Sequence, residues 1–505
     1  MAGKVSVREW YARQVAGWAL VSPAVILGGL AVLNAAVYLL VFVKPWCLIA
    51  LSPYPLLDLR RLSADDPLAR WRLLAGFGLL GLLYWRGWYT ARQVRGRVGW
   101  LLVLGGAAAS GTILLFLYPI GAADLFDNIM HGRILAVYSE NPFTRVAADF
   151  KADPFYPYVG WRRFPSAYGP GWELIASATA RIAGDGIVAG ALAFKVLGGL
   201  FLAGCIAMVA ILLRRTAPEQ ALAGTLLLAW NPIVLYETLG QGHNDVAMLF
   251  WILACVAFLA WRRYTLALVA LVVGALFKFV PLLLLPAAGL ISLRSHPSAG
   301  GRLRFAAVTA CAVVVLVVLA YAPFWDGSQT LAVERRRELF TTSLPAVTHV
   351  LLEGVLGRNH AASVVSLAAA AVTGLFALWQ GVRASRHPTW QSFVQAAFAI
   401  LMFYLLFTCL WFQQWYAIWP LGLVPLLPAG QLACLGVSFG FAVLAKPLIV
   451  EPLWMWQRPS PSRIWLQLRL GPAVLALPWL LALVALWMGR RTRSHGNRSN
   501  SEPHA

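Results

Sequence analysis

Residues 186–213 read GIVAGALAFKVLGGLFLAGCIAMVAILL and run directly into Arg214-Arg215. Wound as an α-helix rising 1.5 Å per residue, a run of this length more than spans the ~30 Å hydrocarbon core of a bilayer. Comparable runs recur from 15–43 to 467–488, in a chain that is 60% hydrophobic, only 12% charged and has a mean hydropathy of +0.70. A soluble domain carries roughly a quarter charged residues. The chain is therefore expected to be an all-α polytopic membrane protein, and soluble classes are excluded.

The remaining spans are placed at 71–90, 98–120, 220–239, 244–261, 265–277, 279–293, 304–322, 361–382, 391–411, 415–428 and 430–446. That makes about fourteen crossings, each apolar enough to enter a bilayer. The pair 265–277 and 279–293 is read as two half-length helices meeting near Lys278 and Pro281. Positive-inside reasoning puts the N-terminus, with Lys4, Arg8 and Arg13, in the cytoplasm. Six of the seven even crossings then end on a basic cluster, all but the one at 415–428: Arg92, Arg95 and Arg97; Arg214 and Arg215; Arg262 and Arg263; Arg294, Arg302 and Arg304; Arg383 and Arg386; and a basic tail from Arg490. The formal net charge of +21 is spread over these loops and makes no single patch, so nucleic acid is not an expected partner.

Of the six cysteines, Cys205, Cys255, Cys311, Cys409 and Cys434 sit inside apolar runs and Cys47 just outside one, with no metal-knuckle spacing. Segments 121–185, 323–360 and 447–466 fall on the outer face. The first is the longest, and it is expected to form a structured loop with short amphipathic helices at the interface.

That loop opens with Asp124-Leu-Phe-Asp127-Asn128-Ile-Met-His131-Gly132-Arg133. As a helix it gathers Asp124, Asp127, Asn128 and His131 on one face, at i, i+3, i+4 and i+7. A carboxylate with neighbouring His and Arg suits proton abstraction from a hydroxyl, and Asp124 equally suits helix capping. Trp161, Arg162 and Arg163 suit phosphate and sugar, or interfacial anchoring.

A second polar group follows Asn231-Pro232: Glu237, then His243, Asn244 and Asp245, residues that are costly at membrane depth unless a ligand or network satisfies them. Lys278 stands at the proline break, where it can meet a phosphate or snorkel to the interface. Gln413 and Gln414 form an amide pair framed by the aromatics Trp411, Trp415, Tyr416 and Trp419, fit for a sugar or an aromatic belt. No cofactor is expected. A divalent metal on His243 and Asp245 is conceivable, but no second histidine or thiolate supports it.

Taken in order, Asp124-Leu-Phe-Asp-Asn, Gly132-Arg133, Asn141-Pro142-Phe143, Tyr168-Gly169-Pro170, Gly242-His243-Asn244-Asp245, Lys278-Phe-Val-Pro281 and Gln413-Gln414-Trp415-Tyr416 resemble the GT-C superfamily of membrane glycosyltransferases. The nearest resemblance is to bacterial polyprenol-phosphate-mannose-dependent mannosyltransferases, over about 121–420. It implies a GT-C-like helical bundle that moves a hexose, taken as mannose, from a polyprenyl-phosphate donor to a lipid or glycan acceptor in the cell envelope. Asp124 would be the catalytic base of an inverting attack on the outer face. Arg133, Tyr168, His243, Asn244, Asp245, Lys278, Gln414 and Trp415 would bind donor phosphate and sugar. Asp127, His131, Arg162, Arg163 and Glu237 are secondary candidates.

Relatives often carry Tyr where this chain has Asn128, and their large loop follows the first span where this one follows the third. The chain is accordingly divided into an extra N-terminal pair of spans (1–97), a catalytic transmembrane unit (98–488) with its loop 121–185, and a basic cytoplasmic tail (489–505). A transporter or flippase of a lipid-linked sugar is the alternative. Against it, the chain shows no internal repeat, and its polar groups cluster at one face.

Overall fold

A computed structural model describes residues 22–444, apart from 60, 63–65, 67, 332–339, 342 and 429. The span expected at 467–488, the segment 447–466, the basic tail and the first residues of the chain lie outside the described residues. Among the described residues the fold is all helix, with no β-strand.

The first helix, α1 (Pro23–Val37), is capped by Ser22, whose hydroxyl accepts from the Val25 amide, and it has proline at its first position. It runs on as a π-helical stretch, Tyr38–Val43. Then come α2 (Ala69–Ala91), α3 (Gly96–Leu115), α4 (Asp124–Ala136), α5 (Pro170–Ala183) and α6 (Ile187–Thr216). The next span is bent by 45° between Pro218–Ala229, which contains α7 (Ala221–Ala229), and Pro232–Gly240. The bend falls on Asn231-Pro232: Asn231 accepts from the amides of Ile233 and Val234 and so caps the helix that restarts. Beyond it lie α8 (Asp245–Ala260), α9 (Tyr264–Ala275), α10 (Leu285–Arg294), α11 (Ala299–Tyr321), α12 (Leu344–Leu356), α13 (Arg358–Ala384), α14 (Trp390–Phe403) and α15 (Gln431–Val443).

Six described helices are long and apolar enough to cross a membrane, or seven if the bent pair is one span, and shorter apolar helices fill the bundle. The stretch 415–428, expected as a span, is instead a series of short turns, Gln414–Ala417, Ile418–Leu421 and Val424–Leu426. Pro420 and Pro425 remove the amides a continuous helix needs. Helix α4, expected to be amphipathic at the interface, is buried from Leu125 to Ile134 on every side. It packs as a core element between the loop and the spans.

The bundle has two distinct ends. At one, Arg95 pairs with Glu219 at 2.8 Å, Arg214 lies over the Trp100 ring, Arg215 over Trp261, and Arg294 donates to the Ser385 carbonyl. The basic turns therefore gather on a single side. The stretch 264–296 starts and finishes there, with the Tyr264 and His296 rings 5.3 Å apart and the Thr265 hydroxyl 3.1 Å from that of Thr309. The chain climbs along α9, turns at Lys278 and returns, so the two half-length helices form a hairpin whose tip reaches the opposite end.

Candidate active site

That opposite end holds the loop after α3. Ala123 is the N-cap of α4, and Asp124 is its first helical residue with no capping bond from a side chain. Asp124, Asp127 and His131 all face one cavity. Asn128 lies at the edge of this face, rotated away from Asp127 and His131 at 100° per residue. It is used structurally: its amide donates to the Asp124 carbonyl, and its Oδ1 accepts from Trp172 Nε1 at 2.8 Å. Asp127 Oδ1 accepts from the Trp161 amide at 2.9 Å, which fixes the turn that brings the indole to the cavity.

The facing wall comes from the turn 241–244 and the hairpin tip. Glu237 and His243 are both buried, with Oε2 and Nδ1 3.0 Å apart. The His243 ring stacks on Trp415, centroids 3.9 Å apart and 18° from parallel. Burial alone would lower the pKa of His243. The Glu237 hydrogen bond and charge, with the charges of Asp124 and Asp245, outweigh burial and raise it above the ordinary 6.5.

Asp245 opens α8. Its Oδ1 accepts from Lys278 Nζ at 2.7 Å and from Trp419 Nε1 at 2.5 Å. The ammonium also stands over the rings of Tyr416 (4.8 Å), Trp419 (5.5 Å) and Tyr168 (5.8 Å), an arrangement that favours a cation.

Tyr168 arrives there because of the glycine after it. Gly169 donates to the Phe277 carbonyl at 3.1 Å and Gly171 to that of Leu276 at 2.9 Å, docking the loop on the hairpin tip. A Cβ at 169 would lie 2.2 Å from the Leu276 oxygen, so only glycine allows this approach.

These walls enclose a cavity of about 360 Å³. Its polar lining includes Asp124, Asp127, His131, Lys278 and Gln413, set among Trp161, Tyr168, Trp411, Trp415, Tyr416 and Trp419. A carboxylate, a caged ammonium and several aromatic faces thus share one chamber at the end of the spans. The geometry suits a polyhydroxylated ring beside an anion.

Several residues singled out in the sequence lie elsewhere. The buried Arg133 guanidinium binds Asp153 at 2.8 Å, Asp185 at 2.8 Å and the Gly184 carbonyl, behind α4 and away from the cavity. Arg162 stacks on Tyr156 and donates to the carbonyls of Val159 and Pro157, and Arg163 is exposed. Arg133 and Arg162 are occupied by the loop's own carboxylates and carbonyls, which a linear reading could not pair with them.

Asn244 is the N-cap residue of α8, and Gln414 is buried at the start of a turn while its neighbour Gln413 lines the cavity. His243, Asp245 and Glu237 stand behind the lining, reaching it through Trp415 and Lys278. Sequence reasoning placed Tyr416 and Trp419 only among the aromatics that frame the amide pair, not in a cage around Lys278. Tyr416 and Trp419 stand at i and i+3, which returns to one face after about a helical turn, and that spacing was the available signal.

Fold and cavity together define a polytopic, all-helical membrane protein with a polar chamber at one end. Over residues 55–294, just under half of the chain, it matches the MptA_B family, described as "Alpha-(1->6)-mannopyranosyltransferase, N-terminal domain". The match supports a mannosyltransferase of the GT-C type, and the chain is a glycosyltransferase of the membrane. The matched stretch contains Asp124, His243, Asp245 and Lys278, and it begins at 55, inside the segment that the motif resemblance left out. No curated protein matches the chain.

Proposed function

We propose that the chain transfers mannose from a polyprenyl-phosphate donor to a hydroxyl of a glycan or glycolipid, at the outer boundary of the cytoplasmic membrane. The observation that carries this reading is the shared cavity, which sets the Asp124 carboxylate and the Lys278 ammonium in one aromatic chamber at the end of the spans. With the basic turns on the cytoplasmic side, as the positive-inside rule favours, the chamber opens outward and both termini are cytoplasmic.

In this mechanism Asp124 accepts the proton of the acceptor hydroxyl as its oxygen bonds to the anomeric carbon. The bond from that carbon to the phosphate oxygen breaks, and its electron pair leaves with the lipid phosphate, inverting the centre. Lys278 has three N–H donors. Asp245 takes one, and the others are available to the phosphate as its charge grows. Trp415, held flat by His243, offers a face for the sugar, and Tyr168 closes the same side. A lipid-linked donor needs cations at the interface and no nucleotide pocket, in keeping with a chamber at the membrane boundary. Polar groups gathered at one end favour interfacial chemistry over a transport path through the bilayer.

The test is transfer by the purified protein in nanodiscs. Mannose is expected to move from a radiolabelled polyprenyl-phosphate mannose and not from a nucleotide-linked mannose. The opposite preference would refute the reading.

A further inference from the structure

Asp124 is flanked by two residues that meet the same turn. Three positions before it, the Gly121 amide donates to Gln241 Oε1 at 2.6 Å, and Gln241 is completely buried. One position after it, Leu125 packs against Gly242, where an added Cβ would sit 2.7 Å from a Leu125 methyl. Gly242 has φ +77°, the left-handed region that glycine favours, so the turn and the contact both need glycine there.

The lead-in to Asp124 is held at other points as well. The buried Lys195 ammonium binds the carbonyls of Leu115 and Leu117. The Tyr118 amide donates to the Trp46 carbonyl, and the Leu59 amide to the Ile120 carbonyl, each at 2.8 Å. Those bonds tie the loop to α6 and to the stretch after α1. The bond to Gln241 ties it instead to the wall that carries the cation.

The turn is itself fixed at its base. The Gln241 amide donates to the Tyr236 carbonyl at 2.8 Å, and the His243 amide to the Glu237 carbonyl at 3.0 Å. At the far end of the turn, Asp245 holds Lys278 at 2.7 Å. One short piece of chain, 241–245, therefore grips the start of the Asp124 helix with its first residues and the Lys278 ammonium with its last. Hydrogen bonds are directional, so a buried one sets orientation as well as distance.

We propose that Gln241 is a positioning residue for the transfer: through the Gly121 amide it sets the place of Asp124 relative to Lys278. The inference rests on the transferase reading above, with Asp124 as the base, and adds what fixes the gap between base and cation. A displaced carboxylate still leaves the donor phosphate its ammonium. Loss of the bond is therefore expected to slow the chemical step and to spare donor binding.

Gln241→Met keeps the length of the side chain and removes the acceptor. Gly121→Ala breaks the same bond from its other end: the new methyl would lie 2.9 Å from Gln241 Oε1, the tip of a side chain that can swing aside at little cost to the fold. Each is purified in nanodiscs beside wild type and Asp124→Asn, and kcat per folded protein, donor KM and polyprenyl-phosphate affinity are measured. Both variants are expected to lower kcat about tenfold to a hundredfold, since a misplacement of about 1 Å can cost a hundredfold. Donor KM and polyprenyl-phosphate affinity are expected to stay at their wild-type values. A side chain that only supports the fold would lower Tm and folded yield and leave kcat per folded protein unchanged. That result, or a parallel loss of polyprenyl-phosphate affinity, would overturn the proposal. If Gln241→Met does not fold, Gly121→Ala decides alone. An inactive Asp124→Asn beside normal kcat in the other variants would remove the positioning role and keep the base. An active Asp124→Asn would instead end the base assignment, and this proposal with it.

Discussion

Lys278 and Asp245 are joined at 2.7 Å although they come from different arms of the bundle, one from the tip of the 264–294 hairpin and the other from the first residue of α8. The carboxylate holds the ammonium at the cavity wall, and three aromatic rings prevent it from turning out toward lipid headgroups. Snorkelling, the other reading of an intramembrane lysine, is incompatible with a head group tied on several sides.

Removing that cation leaves the developing phosphate charge unmet. Lys278→Ala is expected to lower transfer by about 10²–10³ per folded protein, as loss of one transition-state donor typically does, and, because it leaves the buried Asp245 carboxylate without its cation, to lower thermal stability as well. Steady-state rates with lipid-linked donor check this, and a near-normal rate would remove Lys278 from the mechanism.

Arg133 illustrates the opposite outcome. Its partner Asp153 is fully buried, and breaking such a pair costs about 3–5 kcal/mol because a charge is left unpaired. Arg133→Ala is expected to reduce the yield and thermal stability of folded protein in detergent. A stable variant defective only in donor KM would return Arg133 to the donor site.

The histidine supplies a pH test. His243 lies in the turn between the bent span and α8, and its pKa in the folded protein is raised above 6.5. Folding thus favours the protonated ring. The stabilisation is fully present below the unfolded value and is lost as pH rises through the folded one. Wild-type Tm is expected to fall with rising pH above about 6.5 more steeply than that of His243→Gln. Parallel profiles would show that the Glu237 contact does not bias the ring.

Gly169→Ala tests the loop docking. The new methyl would meet the Leu276 carbonyl oxygen at 2.2 Å, so the loop must withdraw from the hairpin tip and take Tyr168 with it. A loss of about 1–3 kcal/mol of stability together with weaker donor use is expected from thermal unfolding and kinetics. Unaltered values for both would show that the approach is not needed.

The all-helical, membrane-spanning character was legible in the sequence because apolar length and composition report directly on it. About fourteen spans were expected, whereas six or seven described helices are long enough to cross. At Lys278 the proline break between two short apolar runs fitted a hairpin or a single kinked helix, and the hairpin is what forms. Asp124, His131, Tyr168, Lys278 and Trp415, named from spacing and motif order, do line one cavity. What stayed hidden was pairing across the chain. Nothing local to Arg133 announces Asp153 and Asp185, nothing at Asn128 announces Trp172, and the cage of Tyr416 and Trp419 exists only once α8 and the hairpin meet. The 415–428 stretch was misread because hydropathy reports burial equally for a span and for a buried set of proline-broken turns.

The most direct measurement is the transfer rate of Asp124→Asn in membranes, with a radiolabelled polyprenyl-phosphate mannose and with expression matched to wild type. The amide keeps the shape of the carboxylate but cannot take a proton, so transfer is expected to vanish while polyprenyl phosphate still binds. Turnover close to wild type in that variant would contradict the assignment of Asp124 as the base.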